Sequence, residues 1–129
     1  MYMLDTNIVI DIFRGNIKTL SCLSFDTEEI VISCVAYGEL VYGAENSNYK
    51  SKHLNQIDEF VQVCKVFSVT KQTADVYGRI KAALKISGKP IPENDVWIAA
   101  HAIESDSFLV TKDSHFSVVN GLKLMLLKE

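Results

Sequence analysis

Short apolar and β-branched runs alternate along this chain with longer stretches whose apolar residues recur every three or four positions. Tyr2-Met3-Leu4, Ile30-Val31-Ile32, Val66-Phe67-Ser68-Val69 and Phe108-Leu109-Val110 read as buried strands, and Leu122 to Leu126 as an edge strand. The helical spacing between them predicts helices over 8–14, 17–23, 35–44, 48–64, 73–87 and 94–105. In the fourth of these Leu54, Ile57, Val61 and Cys64 share a stripe; in the fifth Val76, Tyr77, Ile80, Ala83 and Leu84 do. Asn7 and Ser33 suit helix N-caps, Gly15 and Gly88 suit helix stops, and Pro90 with Pro92 marks a turn. Strands alternating with helices give a parallel sheet covered by helices. The expectation is a three-layer α/β domain, one unit over 1–129, with a central parallel sheet of four strands plus an edge strand and helices on both faces.

Composition narrows this picture little but excludes several classes. At 129 residues, with 48% hydrophobic and 22% charged, the chain can bury a core and is not a disordered tail. There is no repeat, no low-complexity segment, and no apolar run near the ~18–20 residues of a membrane span. The opening Met1-Tyr2-Met3-Leu4-Asp5 meets an acid at once and lacks a basic run, so no signal peptide is expected and the cytoplasm is the expected compartment. Cys22, Cys34 and Cys64 fit no zinc or disulfide spacing and read as buried small apolar residues. The net charge of −3 argues against a polyanionic substrate only until the acids are placed, because carboxylates gathered around a metal no longer count against it.

Four acids stand out by position. Asp5 follows the first strand and Asp113 the fourth, and ligands of open parallel sheets bind at such strand ends. For an isolated Asp after a strand, a turn or cap role is the common one. Glu39 is the one acid in Val35 to Ala44, a helix apolar nearly all round and so expected to be largely buried. A carboxylate there needs a cation, a proton or a metal. Asp95 heads the stripe Asp95, Ile98, Ala99, Ala102 and Ile103, which faces the core; its plainer role is a first-turn acid answering the helix dipole. Oxygen-only donors suit hard cations such as Mg²⁺ or Mn²⁺, and clustered carboxylates raise one another's pKa unless an ion neutralises them. Such an ion activates water and clamps the oxygens of a phosphodiester.

The motifs around these acids are Met3-Leu4-Asp5-Thr6-Asn7, Ser33-Cys34-Val35 through Gly38-Glu39-Leu40, Ile91-Pro92-Glu93-Asn94-Asp95-Val96-Trp97-Ile98-Ala99-Ala100, and Leu109-Val110-Thr111-Lys112-Asp113 with His115-Phe116 behind, then Val119-Asn120-Gly121-Leu122. In order and spacing, over nearly the whole chain, they resemble the PIN-domain nucleases and, among these, the VapC toxins of type II toxin–antitoxin pairs. The resemblance implies an acidic pocket of Asp5, Glu39, Asp95 and Asp113, with Asp5 and Asp95 the most direct metal ligands and Thr6, Asn7 and Thr111 in support. It implies a strand order of 3-2-1-4 with the edge strand beyond 4. It implies an endoribonuclease using Mg²⁺ or Mn²⁺ to cut structured RNA to 3′-hydroxyl and 5′-phosphate ends, a VapB-like antitoxin partner, and a homodimer joined with it into a hetero-oligomer. Some family members carry a further acid after the fourth; Ser114, His115 and Ser117 occupy those places here, which leaves one or two ions open.

Other residues read more plainly. His115 near Asp113, His101, His53 and Trp97 are expected in packing or surface roles. Arg14 and Lys112 are the cations expected closest to the cleft, as phosphate contacts. A phosphatase with a phosphoaspartyl intermediate wants a second acid two residues after the first, where Asn7 stands; a receiver domain wants a paired acid near the start; and glycine-rich nucleotide loops are absent. The alternatives left are a PIN-fold nuclease of RNA processing and a non-catalytic RNA-binding module, which loss of one of the acids would favour.

Overall fold

The computed structural model describes residues 1–23 and 28–128. Five strands, β1 (Tyr2–Leu4), β2 (Ile30–Ser33), β3 (Lys65–Phe67), β4 (Phe108–Thr111) and β5 (Lys123–Leu126), alternate with helices α1 (Thr6–Phe13), α2 (Ile17–Ser21), α3 (Cys34–Glu45), α4 (Lys50–Phe60), α5 (Lys71–Ser87) and α6 (Glu93–Glu104). The sheet is parallel throughout, in the order β3-β2-β1-β4-β5. The implied 3-2-1-4 order and the edge strand beyond the fourth are both present.

The pleat explains why strands of three or four residues suffice. Successive side chains point to opposite faces, and register aligns them across the sheet. Met3 pairs with Val31 and Leu109. All three enter one core, with Val76, Ile80 and Leu84 of α5 and Ile98 and Ala102 of α6. Leu4 pairs with Val110, and these two join Ile32, Ile8 and Val9 of α1, Leu40 of α3 and Ile57 of α4 in the core on the other face. These are the two faces of the expected three layers.

Three expectations are corrected. α3 is not buried all round: only Ala36, Leu40 and Ala44, at i, i+4 and i+8, are buried, and Tyr42 is 71% exposed. That stripe is buried and Val35 and Tyr37 pack beside it half-buried, so apolar composition overstated the helix's burial. The cysteines are not core residues either, since Cys22 is exposed and Cys34 and Cys64 are half-buried, all three free. Cys22 caps the end of α2, Cys34 opens α3, and Cys64 precedes the edge strand β3. The fourth predicted helix is shorter than 48–64, covering Lys50–Phe60.

Ser33 caps α3 as expected, accepting from the Val35 amide at 3.0 Å. It also anchors α6. His101, 1% exposed, lies 2.7 Å from Ser33 Oγ through Nδ1 and 3.2 Å from the Ser68 carbonyl through Nε2. A carbonyl can only accept, so Nε2 carries the proton and Nδ1 accepts from the serine. Burial pushes the pKa of His101 down, consistent with this neutral ring pinning α6 to β2 and to the segment after β3.

Candidate active site

Asp5 stands where β1 becomes α1. Its backbone is extended (φ −68°, ψ 158°), and its Oδ1 accepts the Thr6 amide at 2.8 Å, so Asp5 itself is the helix N-cap. Asn7, expected in that role, lies inside the first turn. Its side chain spans to the neighbouring strand end, accepting from the Lys112 amide at 3.4 Å and donating through Nδ2 to Asp113 Oδ2 at 3.3 Å.

The parallel register sets the next contact. Leu4 opposite Val110 brings Asp5 beside Thr111, and Thr111 Oγ1 donates to Asp5 Oδ2 at 2.6 Å while accepting from the Asp113 amide at 3.0 Å. One buried hydroxyl thus ties both strand-end acids. Glu39 reaches the same place from α3, where Thr6 Oγ1 donates to its Oε1 at 2.7 Å and Asn94 Nδ2 lies 3.5 Å from Oε2. Asp95 arrives on the first turn of α6, with Oδ2 2.7 Å from His115 Nε2.

All four acids line one open cavity of about 670 Å³, with Thr6, Asn7, Ile10, Asn94, His115 and a fifth acid, Glu93, among its other walls and, among the described residues, no lysine or arginine. Asp5 is 4% exposed. Burial pushes its pKa up to about 6, against the hydrogen bonds from Thr111 and Thr6, and the charges of Asp95 and Asp113 push the same way. Burial also raises Asp95, opposed by His115 and reinforced by Glu39 and Asp113. The carboxylates therefore sense one another, which is the situation a divalent cation relieves.

In donor type the set fits a hard cation, being carboxylate oxygen throughout. Among the described residues, however, no three Asp, Glu, His or Cys side chains converge closely enough to hold an ion as they stand. Each carboxylate is instead engaged by a hydroxyl, amide or imidazole neighbour. The fit is one of chemistry, with the carboxylates held apart around a shared space.

The two expected cations divide. Lys112 is not in the cleft: its ammonium pairs with Asp11 and its side chain is 16% exposed, because Asp11, buried on α1, also takes Thr19 Oγ1 at 2.7 Å and needs a counter-charge. Arg14, at the end of α1, lines a second cavity that shares Ile10 and Glu39 with the first. His115 is the site residue that sequence reasoning undervalued. It was seen beside Asp113, but a single 3-10 turn over Ser114–Val118 carries it to Asp95, with its ring against Phe116 at 4.8 Å. Trp97 packs as expected, stacked on Tyr77 with centroids 3.8 Å apart.

The family model described as PIN domain matches residues 2–122. Ribonuclease VapC2 of Haemophilus influenzae is 37% identical over 113 residues, covering 87% of this chain and 86% of that protein. The tRNA(fMet)-specific endonuclease VapC of Shigella flexneri is 32% identical over 124 residues, covering 95% and 94%. Among solved structures, VapBC2 from Rickettsia felis bound to a DNA fragment from its promoter contains a chain that matches with a TM-score of 0.91 at 28% identity, over 98% of both chains.

Proposed function

This chain belongs to the PIN-domain family, alongside the VapC ribonucleases, and we propose that it is a toxin that cleaves structured RNA at the four-carboxylate cleft in the presence of Mg²⁺ or Mn²⁺. The observation that carries the reading is the convergence of Asp5, Glu39, Asp95 and Asp113, from four separate elements, on one cavity. Nothing in the fold alone requires acids at all four places.

Asp5, 4% exposed, and Asp95, whose side chain is 14% exposed, would be the direct ligands, with Asp113 and Glu39 completing the set. A bound divalent ion would supply a nucleophilic water at neutral pH and offset charge on the phosphodiester. The chain's own residues do the positioning. Thr111 and the Thr6 amide fix both oxygens of Asp5, Asn7 holds Asp113, and the Thr6 hydroxyl holds Glu39. Ile10 and Pro92 give the cavity apolar walls beside the acids.

Because one relative is named for tRNA(fMet), a tRNA is the first substrate to test. The similarity to a chain of a VapBC complex supports a small VapB-like antitoxin as partner, and we read the toxin as a homodimer that joins it in a hetero-oligomer. Among the described residues no helix is long and apolar enough to cross a membrane.

The test is cleavage of a tRNA transcript in Mg²⁺ or Mn²⁺ by wild type and by Asp5→Asn. Loss of cleavage in the variant, and in wild type under excess chelator, is expected, with the variant still folded. Undiminished cutting by the variant overturns the carboxylate site, and cutting in chelator overturns the metal.

A further inference from the structure

The acidic cavity poses a problem for its own substrate. A scissile phosphodiester over these carboxylates needs cations beside the metal ion to hold its flanks, yet among the described residues that wall the cavity there is no lysine or arginine. Nearby cations are mostly committed: Lys112 to Asp11, and Lys81 to Glu93 at 2.5 Å on the α6 side of the rim.

One flank is different. Across Ile10 and Glu39 the cleft continues into a second cavity of about 430 Å³, between α1, α3 and α4. Its floor is apolar, from Phe13, Leu40 and Ile57, and its rim carries Arg14, Lys52 and His53. Among the described residues neither Arg14 nor Lys52 has a carboxylate within 4.0 Å. Cations outside any close ion pair, over an apolar floor that includes the Phe13 ring, suit a single-stranded nucleic acid, the cations tracking phosphates and the floor receiving a base.

Resting on the nuclease reading, we infer that this second cavity seats the unpaired RNA segment that flanks the scissile phosphate, with Arg14 and Lys52 taking its phosphates. The occupant is a polyanion by charge complementarity and by continuity with the cleft. An acidic cleft beside a basic pocket also orients the strand, since backbone phosphates are repelled from the first except where an ion bridges them and attracted by the second.

Gly43 offers a clean probe. It lines the second cavity on α3, and a Cβ added there meets nothing within 4 Å. Gly43→Leu therefore intrudes on the pocket while improving helix propensity.

The experiment compares wild type, Arg14→Gln/Lys52→Gln and Gly43→Leu for cleavage of a tRNA transcript. It also measures binding of that transcript across a KCl series in an Asp5→Asn background. Expected is a KM raised roughly tenfold or more in both pocket variants, with kcat within about twofold. The slope of log K against log salt should fall by about 1.4 in the double variant, roughly 0.7 for each lost phosphate contact. Unchanged KM and slope, in proteins where wild type cuts RNA, overturn the subsite and leave the nuclease reading standing. If wild type cuts no RNA, that reading falls, and the binding slope still decides the pocket. If Gly43→Leu leaves RNA cleavage unchanged but releases a co-expressed antitoxin, the pocket holds peptide and the inference is overturned.

Discussion

Replacing Asp5 by Asn keeps the shape of the residue and removes its ionisation, so it isolates the energetic cost of a buried carboxylate. Asp5 is 4% exposed, and its pKa rises from 3.8 to about 6. At about 1.4 kcal/mol per pH unit, that rise corresponds to about 3 kcal/mol by which ionised Asp5 weakens the metal-free fold. Since the folded value lies above the unfolded one, the fold carries no penalty well below pH 4. The penalty grows as pH rises and is complete above about pH 6. Asparagine escapes it: its Oδ1 can keep the Thr6 amide while its Nδ2 donates to Thr111 Oγ1, and trading charge-assisted bonds for neutral ones costs about 1 kcal/mol. In chelator at pH 8 the variant should therefore be about 2 kcal/mol more stable than wild type by urea unfolding. At pH 4 that advantage should vanish. Adding Mn²⁺ at pH 8 should raise wild type by about 2.7 kcal/mol at a hundredfold excess over its Kd and the variant by less. A difference between the two proteins that stays constant from pH 4 to pH 8 would refute the argument, since only ionisation at position 5 can make it vary in this way.

Two further outcomes follow from the hydrogen bonds. His101→Ala should cost about 3 kcal/mol, by opening a cavity and stranding the Ser68 carbonyl. Its lowered pKa also makes wild-type stability fall as pH drops below the ordinary imidazole value of 6.5; urea midpoints between pH 7.5 and 5 check both, and a variant retaining that acid dependence would count against the neutral ring. Thr111→Val removes the donor to Asp5 Oδ2, a bond that favours the charged form, so Asp5 should become harder to ionise. Metal-dependent cleavage should then fall roughly tenfold more at pH 6 than at pH 8.5, and a parallel loss at both pH values would assign Thr111 a different role.

The strands, the helices between them and their alternation were legible in the order of residues, because period 2 and period 3.6 are local properties of the chain. Asp5 and Asp113 were legible too, as acids that follow strands. Burial of whole faces was not local. α3 looks apolar all round in sequence, but which residues are covered depends on elements far away, and only Ala36, Leu40 and Ala44 are buried. The same holds for the cations: Lys112 sits one residue from Asp113, yet the counter-charge demanded by buried Asp11 draws its ammonium out of the cleft. His115, two residues after Asp113 in sequence, is a partner of Asp95 through one 3-10 turn. Sequence alone determined which residues could make an acidic cleft in a parallel α/β fold, since residue type and periodicity are written along the chain. Tertiary structure decided which carboxylate each hydroxyl, amide and imidazole holds, because hydrogen bonds reach about 3 Å and depend on distances between elements that the order of residues does not contain.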